Sequence, residues 1–534
     1  MAHQQFESIR IGPGAHRIIA LTPELRTFVT SQLPTSWPDR GALVKVVATA
    51  LSVLTAAMVV LDTLTTFVGF PYSYFTAPVR RWMQGGALYT DLLAYPFNSV
   101  AYGWLDYALL RVLWHAFGDD AANRLLHAVA SAAWLSVLVV VAWATTKSWK
   151  LAVAAFCCMA VFTIRSGTAD QLGSVLEMAA VGLWLVRPGL DGAILGGAIG
   201  GLATLGKQSY VAAVAGLLLA SLLLREYRRG LVTVFTGAAV NLAVTGILEV
   251  WSGGAYLATL RHIAVDDGHS VWATYGSARP FLQQAAALLP AVPLVLKHGW
   301  DRSRVTFACC FAACFLMAAI GTSKSGASPT YFTSAAGMAV LLAVNFLRDC
   351  SERELGVFAL VILVAVVAIR LPTRETLSAW KHAALLEVSP RAAQLRAVLA
   401  KYEDGPLLSE DHEFSFASPR EVIAHDPHSV RRAVEVGRFD GVPLLELVEK
   451  QIPAVVILHA RPFPEMLSLL FHVDLDDFSR KFHCAVWRNY VVVEQFEGNL
   501  IMKRRAVREQ SACDAAQLPW WSASPQANAA PAQP

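Results

Sequence analysis

Charge is scarce in this chain. Charged residues make up 16% of it, whereas a soluble globular protein carries about 25%. That deficit excludes an ordinary soluble domain. The net charge of +4 is small, and no nucleic-acid partner is expected. The first 40 residues are polar and mixed, with no short apolar core followed by a small-residue cleavage site. No cleavable signal peptide is therefore expected there. The eight cysteines show neither a CxxC nor a Cys/His zinc spacing. Cys157, Cys158, Cys309, Cys310 and Cys314 fall inside apolar runs. They read as small packing residues rather than a disulfide framework. No unit repeats along the chain, unlike the internal symmetry common in transporters.

What the chain does have is length of apolar sequence. Runs recur from Val44 to Arg370, each near the roughly 20 residues that cross a bilayer. The expected spans are 44–70, 123–145, 150–164, 171–186, 190–206, 208–224, 231–251, 281–297, 304–321, 329–347 and 355–371, about eleven in all. The expected fold is mainly α, a polytopic membrane helical bundle over 44–371. Short loops rich in Lys and Arg orient it. Lys147/Lys150, Arg187, Arg225/Arg228/Arg229, Lys297/Arg302/Arg304 and Arg348/Arg353 fall on one side if segment 1–43 is cytoplasmic. The segment Pro96–Gly118 is apolar enough to cross, but a crossing would invert every later loop. It also carries Asp106, Arg111 and His115, which are costly in lipid. It is read as a helix lying on the outer surface within one external loop, 71–122. A second external loop spans 252–280. Beyond 371 the pattern changes to short β runs, PLLSE, AVVILH and YVVVEQ, between charged helical stretches. This predicts a small extracytoplasmic α/β domain over 372–510. An Ala-, Pro- and Gln-rich tail at 511–534 is predicted to be disordered.

Several polar residues then gather at the outer face. Asp91, in a Gly-rich stretch, is either a turn or cap residue or a carboxylate that takes a proton or holds a divalent cation. Asp170 opens a span and either caps it or faces the same cavity, with Arg165 beside it as a partner. Glu177 is seven residues on, about 10 Å deeper near the same helical face. An acid inside a span is functional by default. Lys207 either snorkels or holds a phosphate. Arg80 and Arg81 could serve the same phosphate or lipid headgroups. His262 and His269, beside Asp266 and Asp267, read mainly as a solvated loop, as do Glu410, Asp411, His412 and Glu413 in SEDHEF. Trp82, Trp104, Trp114 and Trp272 read as interfacial aromatics.

The order of certain motifs resembles the GT-C superfamily of integral membrane glycosyltransferases, in particular the bacterial members akin to protein O-mannosyltransferases and aminoarabinose transferases. The stretches that carry it are MQGGALYTD with Tyr89 and Asp91, YPFNSVAYGWL, NRLLHAV with Arg124, RSGTAD with Arg165 and Asp170, GLATLGKQSY with Lys207, and SGASPTYF with Tyr331. SEDHEF and RFDGVPLLELVEKQIPAVVIL resemble the soluble tail of many members. The resemblance covers about 44–500 and implies a polyprenyl-phosphate sugar donor. The acceptor would be an envelope glycan, lipid or protein, and the setting a bacterial inner membrane. It points to Asp91 and Asp170 as catalytic, and to Lys207, Arg80, Arg81, Arg165, Glu177, Tyr89, His262 and Tyr331 as substrate contacts. A divalent metal is an open option. One departure stands out: many members carry an Asp-Glu pair after the first span, where this chain reads Gly69-Phe-Pro-Tyr-Ser-Tyr. The alternatives are a flippase for lipid-linked intermediates and a non-catalytic assembly protein.

Overall fold

The computed structural model describes residues 75–90, 103–159, 168–207, 210–264, 271–291, 299–323, 329–370, 390–424, 439–459 and 477–507, with scattered positions elsewhere. The segment 1–43, most of the expected span 44–70, and the tail 511–534 lie outside the described residues.

The chain is a membrane protein. Four helices are long and apolar enough to cross a bilayer: Asp119–Thr146, Tyr227–Trp251, Arg302–Thr322 and Thr330–Leu347. Shorter apolar helices lie among them, so the span expectation is met in part. Two short helices precede the main bundle, α1 (Thr76–Met83) and α2 (Trp104–Phe117). The bundle follows as α3 (Asp119–Thr146), α4 (Trp149–Met159), α5 (Thr168–Val186), α6 (Leu190–Ala203), α7 (Ala212–Leu223) and α8 (Tyr227–Trp251). It continues as α9 (Ala255–Ala264), α10 (Val271–Ala285), α11 (Arg302–Thr322), α12 (Thr333–Leu347) and α13 (Glu352–Arg370). At 14 residues, α2 is about 21 Å long, shorter than the roughly 30 Å hydrocarbon core.

Large apolar side chains from many helices make one core, with Trp134, Met178, Trp184, Phe307 and Phe332 all buried in it. Where α6 meets α8 the contact is backbone against backbone. A Cβ on Gly197 or Gly201 would strike the Thr233 or Gly237 carbonyl, the close approach that small residues give membrane helices.

The two ends of the bundle differ. At one end, Arg229 donates to the carbonyls of Trp184 and Arg187 at 2.7 and 3.0 Å, and to Glu226 at 2.6 Å. Arg302 reaches the same Glu226 at 3.2 Å. Arg304, 2% exposed, donates to the Asn345 carbonyl at 3.0 Å and to Asp349. Asp301 caps α11 through the Arg304 amide at 2.9 Å and also pairs with Arg348. Most of these basic residues are the ones that the sequence placed in short loops on a single side.

At the other end sits a four-stranded sheet built from β1 (Leu407–Ser409), β2 (Val455–His459), β3 (Tyr490–Phe496) and β4 (Asn499–Arg504). Its order is β1-β2-β4-β3, with β1 parallel to β2 and the other pairings antiparallel. The first three strands coincide with the three β runs read from sequence. Alternation along β2 sends Val455 and Ile457 to one face and Val456 and Leu458 to the other. Both faces are buried, which is why the strand reads as a continuous apolar run. The helices α14 (Arg391–Leu399) and α15 (His412–Ala417) cover one face. The other face is covered by α16 (Val442–Glu449) and α17 (Asp477–Asn489).

Two sequence expectations change here. Glu410 is not a solvated strand end: it is 4% exposed and accepts the His459 amide at 2.8 Å. Asp411 caps α15 through the Glu413 amide at 2.8 Å. The strand needs these acceptors where it leaves the sheet. Cys484 is disulfide-bonded, to a partner outside the described residues. Cys157, Cys158, Cys309, Cys310, Cys314 and Cys350 are not disulfide-bonded.

A guanidinium–carboxylate ladder and one aromatic ring join sheet to bundle. Arg80, 8% exposed, donates to Asp119 at 3.2 Å, to the Phe416 carbonyl at 3.2 Å, and to the Ser418 carbonyl. Arg396 of α14 donates to Asp119 at 3.2 Å and to Asp120 at 3.0 Å. Phe97, between α1 and α2 in the chain, is fully buried against Phe439 at 5.4 Å in the sheet's core. Its amide donates to the Ile423 carbonyl at 2.9 Å. Asp119→Ala removes the carboxylate shared by Arg80 and Arg396. Because Asp119 is partly exposed, the cost should be roughly 1–3 kcal/mol, below the 3–5 of a fully buried pair. Faster protease nicking between bundle and sheet, with the bundle's own thermal transition little moved, is the expected result.

Candidate functional site

The site is built where a helix is interrupted. After α6 ends at Ala203 the chain turns, and α7 does not begin until Ala212. Thr204 closes the turn by donating to the Gly201 carbonyl at 2.7 Å. Lys207 lies in this turn and is 8% exposed. Its ammonium stands 3.3 Å from the centroid of the Tyr331 ring. A ring face attracts the cation without neutralising it. Tyr331 belongs to the single 3₁₀ turn Pro329–Phe332 ahead of α12. Its ring fits there because a Cβ on Gly321 would come within 2.6 Å of it.

Glu177 lies below the turn, on α5, and is fully buried. Its Oε1 accepts the Ala213 amide at 2.9 Å. That amide is in the first turn of α7, where it has no partner within its own helix. The Cys314 thiol is 3.9 Å from Oε2. Glu177, Tyr210, Cys314, Tyr331 and Ser334 line one narrow cavity. Above it, a polar ladder joins α3 to α5: Ser131 to Gln171 at 3.1 Å and Trp134 to Ser174 at 2.8 Å.

The structure thus brings together three of the residues singled out from sequence, Lys207, Tyr331 and Glu177. The backbone of Asp170 lies two turns before Glu177 on α5, and that of His262 lies in α9; their side chains lie outside the described residues. Asp91 and Arg165 lie outside them altogether. Tyr89 is 2% exposed, edge-on to Tyr256 at 4.9 Å and to Trp251 at 6.3 Å. Burial, with Tyr256 and Asp106 nearby, raises its pKa well above the usual phenol value, so the phenol stays neutral. Arg80 is taken up by the junction described above, and Arg81 packs over Gly86. Among the described residues no group of three or more His, Cys, Asp or Glu could hold a metal. Ser334 carries no motif; Tyr210 closes the GLATLGKQSY stretch, and Cys314 reads in the sequence as a packing residue.

Chemically, the arrangement offers a desolvated, ring-held cation that can stabilise an anion at the mouth of the bundle. The buried carboxylate beneath it holds the turn in place. Glu177→Gln keeps an oxygen for the Ala213 amide and should unfold near the native temperature in detergent. Glu177→Leu leaves that amide unpaired and should lower stability by about 1–3 kcal/mol, read as a drop in Tm.

No family model and no curated protein matches this sequence. Among solved structures, ArnT from Cupriavidus metallidurans bound to undecaprenyl phosphate matches with a TM-score of 0.59 at 14% identity, over 86% of this chain and 99% of that one. The same protein in its apo state matches with a TM-score of 0.57 at 14% identity, over 87% and 100%. The oligosaccharyltransferase of Archaeoglobus fulgidus aligns with a TM-score of 0.46 at 12% identity, over 77% and 69%. The chain has the fold of ArnT, which is the fold that its GT-C-like motifs imply.

Proposed function

We propose that this protein is an integral membrane glycosyltransferase that moves a hexosyl or pentosyl group from a polyprenyl-phosphate carrier to an acceptor outside the cytoplasm. The observation that carries the reading is the Lys207 ammonium held against Tyr331 at the mouth of an ArnT-like bundle. A ArnT structure of this fold is bound to undecaprenyl phosphate. In the proposed reaction a carboxylate, Asp91 or Asp170, takes the acceptor's hydroxyl proton. The freed oxygen attacks the anomeric carbon as the bond to the carrier phosphate breaks, inverting that carbon. Lys207 stabilises the charge on the departing phosphate, with Arg81 and Arg165 as further cations for the carrier. Tyr89 and His262 are the further substrate contacts of this reading. The absent Asp-Glu pair leaves these two aspartates as the bases to test. The acceptor is an envelope glycan, lipid or protein.

The proposed setting is a bacterial inner membrane. The bundle end that gathers Arg229, Arg302, Arg304 and Arg348 is cytoplasmic by the positive-inside rule. The sheet and the Lys207 turn are then external. A disulfide at Cys484 suits an oxidising compartment. A periplasm-active reporter fused after Arg505 should be active and a cytoplasm-active one silent. The opposite pattern overturns the topology.

The enzymatic reading is tested with purified protein and a polyprenyl-phosphate sugar, following donor consumption. Asp91→Asn or Asp170→Asn, whichever is the base, should cost about 10²–10⁴-fold in turnover. Lys207→Met should mainly weaken use of the donor. Near-native turnover in both Asn variants would sink the carboxylate mechanism.

A further inference from the structure

A cleft of about 640 Å³ opens on the side of the molecule, between α1, α2 and the outer end of α8. Its walls are Trp82, Trp104 and Trp251, with Ala108, Val112, Ile247 and Leu248. Its polar lining comes from Arg111 and His115, one turn apart on α2 and so on one face. The Arg111 guanidinium lies 4.0 Å from the centroid of the Trp82 ring, and Trp82 meets Trp251 edge-on at 5.6 Å. Among the described residues Arg111 has no acidic partner. The cleft shares no lining residue with the cavity around Glu177 and Tyr331. It opens along α8, where Ile247 is 66% and Val250 84% exposed, on a helix long and apolar enough to span.

Those features select a ligand. An exposed apolar strip on a spanning helix faces acyl chains. Three tryptophans at the helix end mark the headgroup level. An uncompensated guanidinium beside an imidazole, held over a ring, is a phosphate-binding pair. A free sugar would use the rings but not the lipid-facing strip, and a soluble anion would use the cations but not the apolar walls. We propose that this cleft holds an anionic phospholipid of the surrounding bilayer. Its phosphate lies on Arg111 and His115, its glycerol backbone against Trp82 and Trp251, and its chains along Ile247. Assignment to the outer leaflet rests on the topology proposed above; the cleft and its chemistry do not. The site also touches the Lys207 turn through the backbone. The Gly103 and Leu105 amides, at the start of α2, donate to the Gly206 and Leu205 carbonyls at 3.0 and 3.1 Å. A lipid seated on α2 therefore braces the turn that carries Lys207.

The test is native mass spectrometry of the full chain in detergent, titrated with phosphatidylglycerol or with phosphatidylcholine of the same acyl chains. It reads binding, not transfer, and so stands whether or not the protein is a glycosyltransferase. The expected result is a tight phosphatidylglycerol adduct that Arg111→Gln weakens about tenfold, the loss of one charge-assisted contact. Arg111→Lys should retain most of it, and millimolar inorganic phosphate should not displace it. If Arg111→Gln does not fold, His115→Gln, at an exposed position, should weaken the same adduct. Equal affinity for phosphatidylcholine, native binding in the Gln variants, or displacement by inorganic phosphate would each overturn the proposal.

Discussion

A backbone amide buried away from water must find its partner within the protein, and an interrupted helix leaves several to be satisfied. The break between α6 and α7 is tolerated because Glu177, on a different helix, accepts the Ala213 amide. The rest of the site follows from that one bond. With the start of α7 fixed, the turn before it has few conformations, and Lys207 is delivered to the Tyr331 ring. The irregular backbone between α6 and α7 thus adjoins packed protein and a polar cavity.

Ionic contacts in this protein are sorted by position. One end of the bundle is tied by arginines to helix-end carbonyls and to Glu226, Asp301 and Asp349. Between the ends, among the described residues, the ladder between α3 and α5 and Glu177 supply polar contacts in a largely apolar core. The other end carries the Lys207 turn and the Arg80–Asp119–Arg396 ladder. Each terminus of a helix exposes unpaired carbonyls or amides, so charge placed there does double service, pairing with an opposite charge and capping backbone.

Hydrophobic length and period made the bundle and three of the four strands legible in the sequence. β4 was not legible because its outer half, MKR, breaks the apolar pattern; pairing with β2 and β3 supplies what composition does not. Lys207 and Tyr331 could be singled out as isolated polar and aromatic positions at span ends, but nothing in their spacing says that they touch. That contact depends on Gly321 leaving room, a steric fact of the folded state. Arg80 shows the opposite failure. A lone arginine in an outer loop reads as a phosphate ligand, and only tertiary structure reveals Asp119 and two sheet-domain carbonyls waiting for it.

The joint between sheet and bundle is made of two unlike materials. The ladder around Asp119 is partly exposed and electrostatic, and mobile ions screen such contacts over about 10 Å at 0.1 M salt. The Phe97 ring in the sheet's core is indifferent to ionic strength, and its burial strengthens in salts that are excluded from protein surfaces. Raising salt therefore slackens one fastening while leaving the other closed. The sheet then has a tether about which to tilt rather than a freedom to leave.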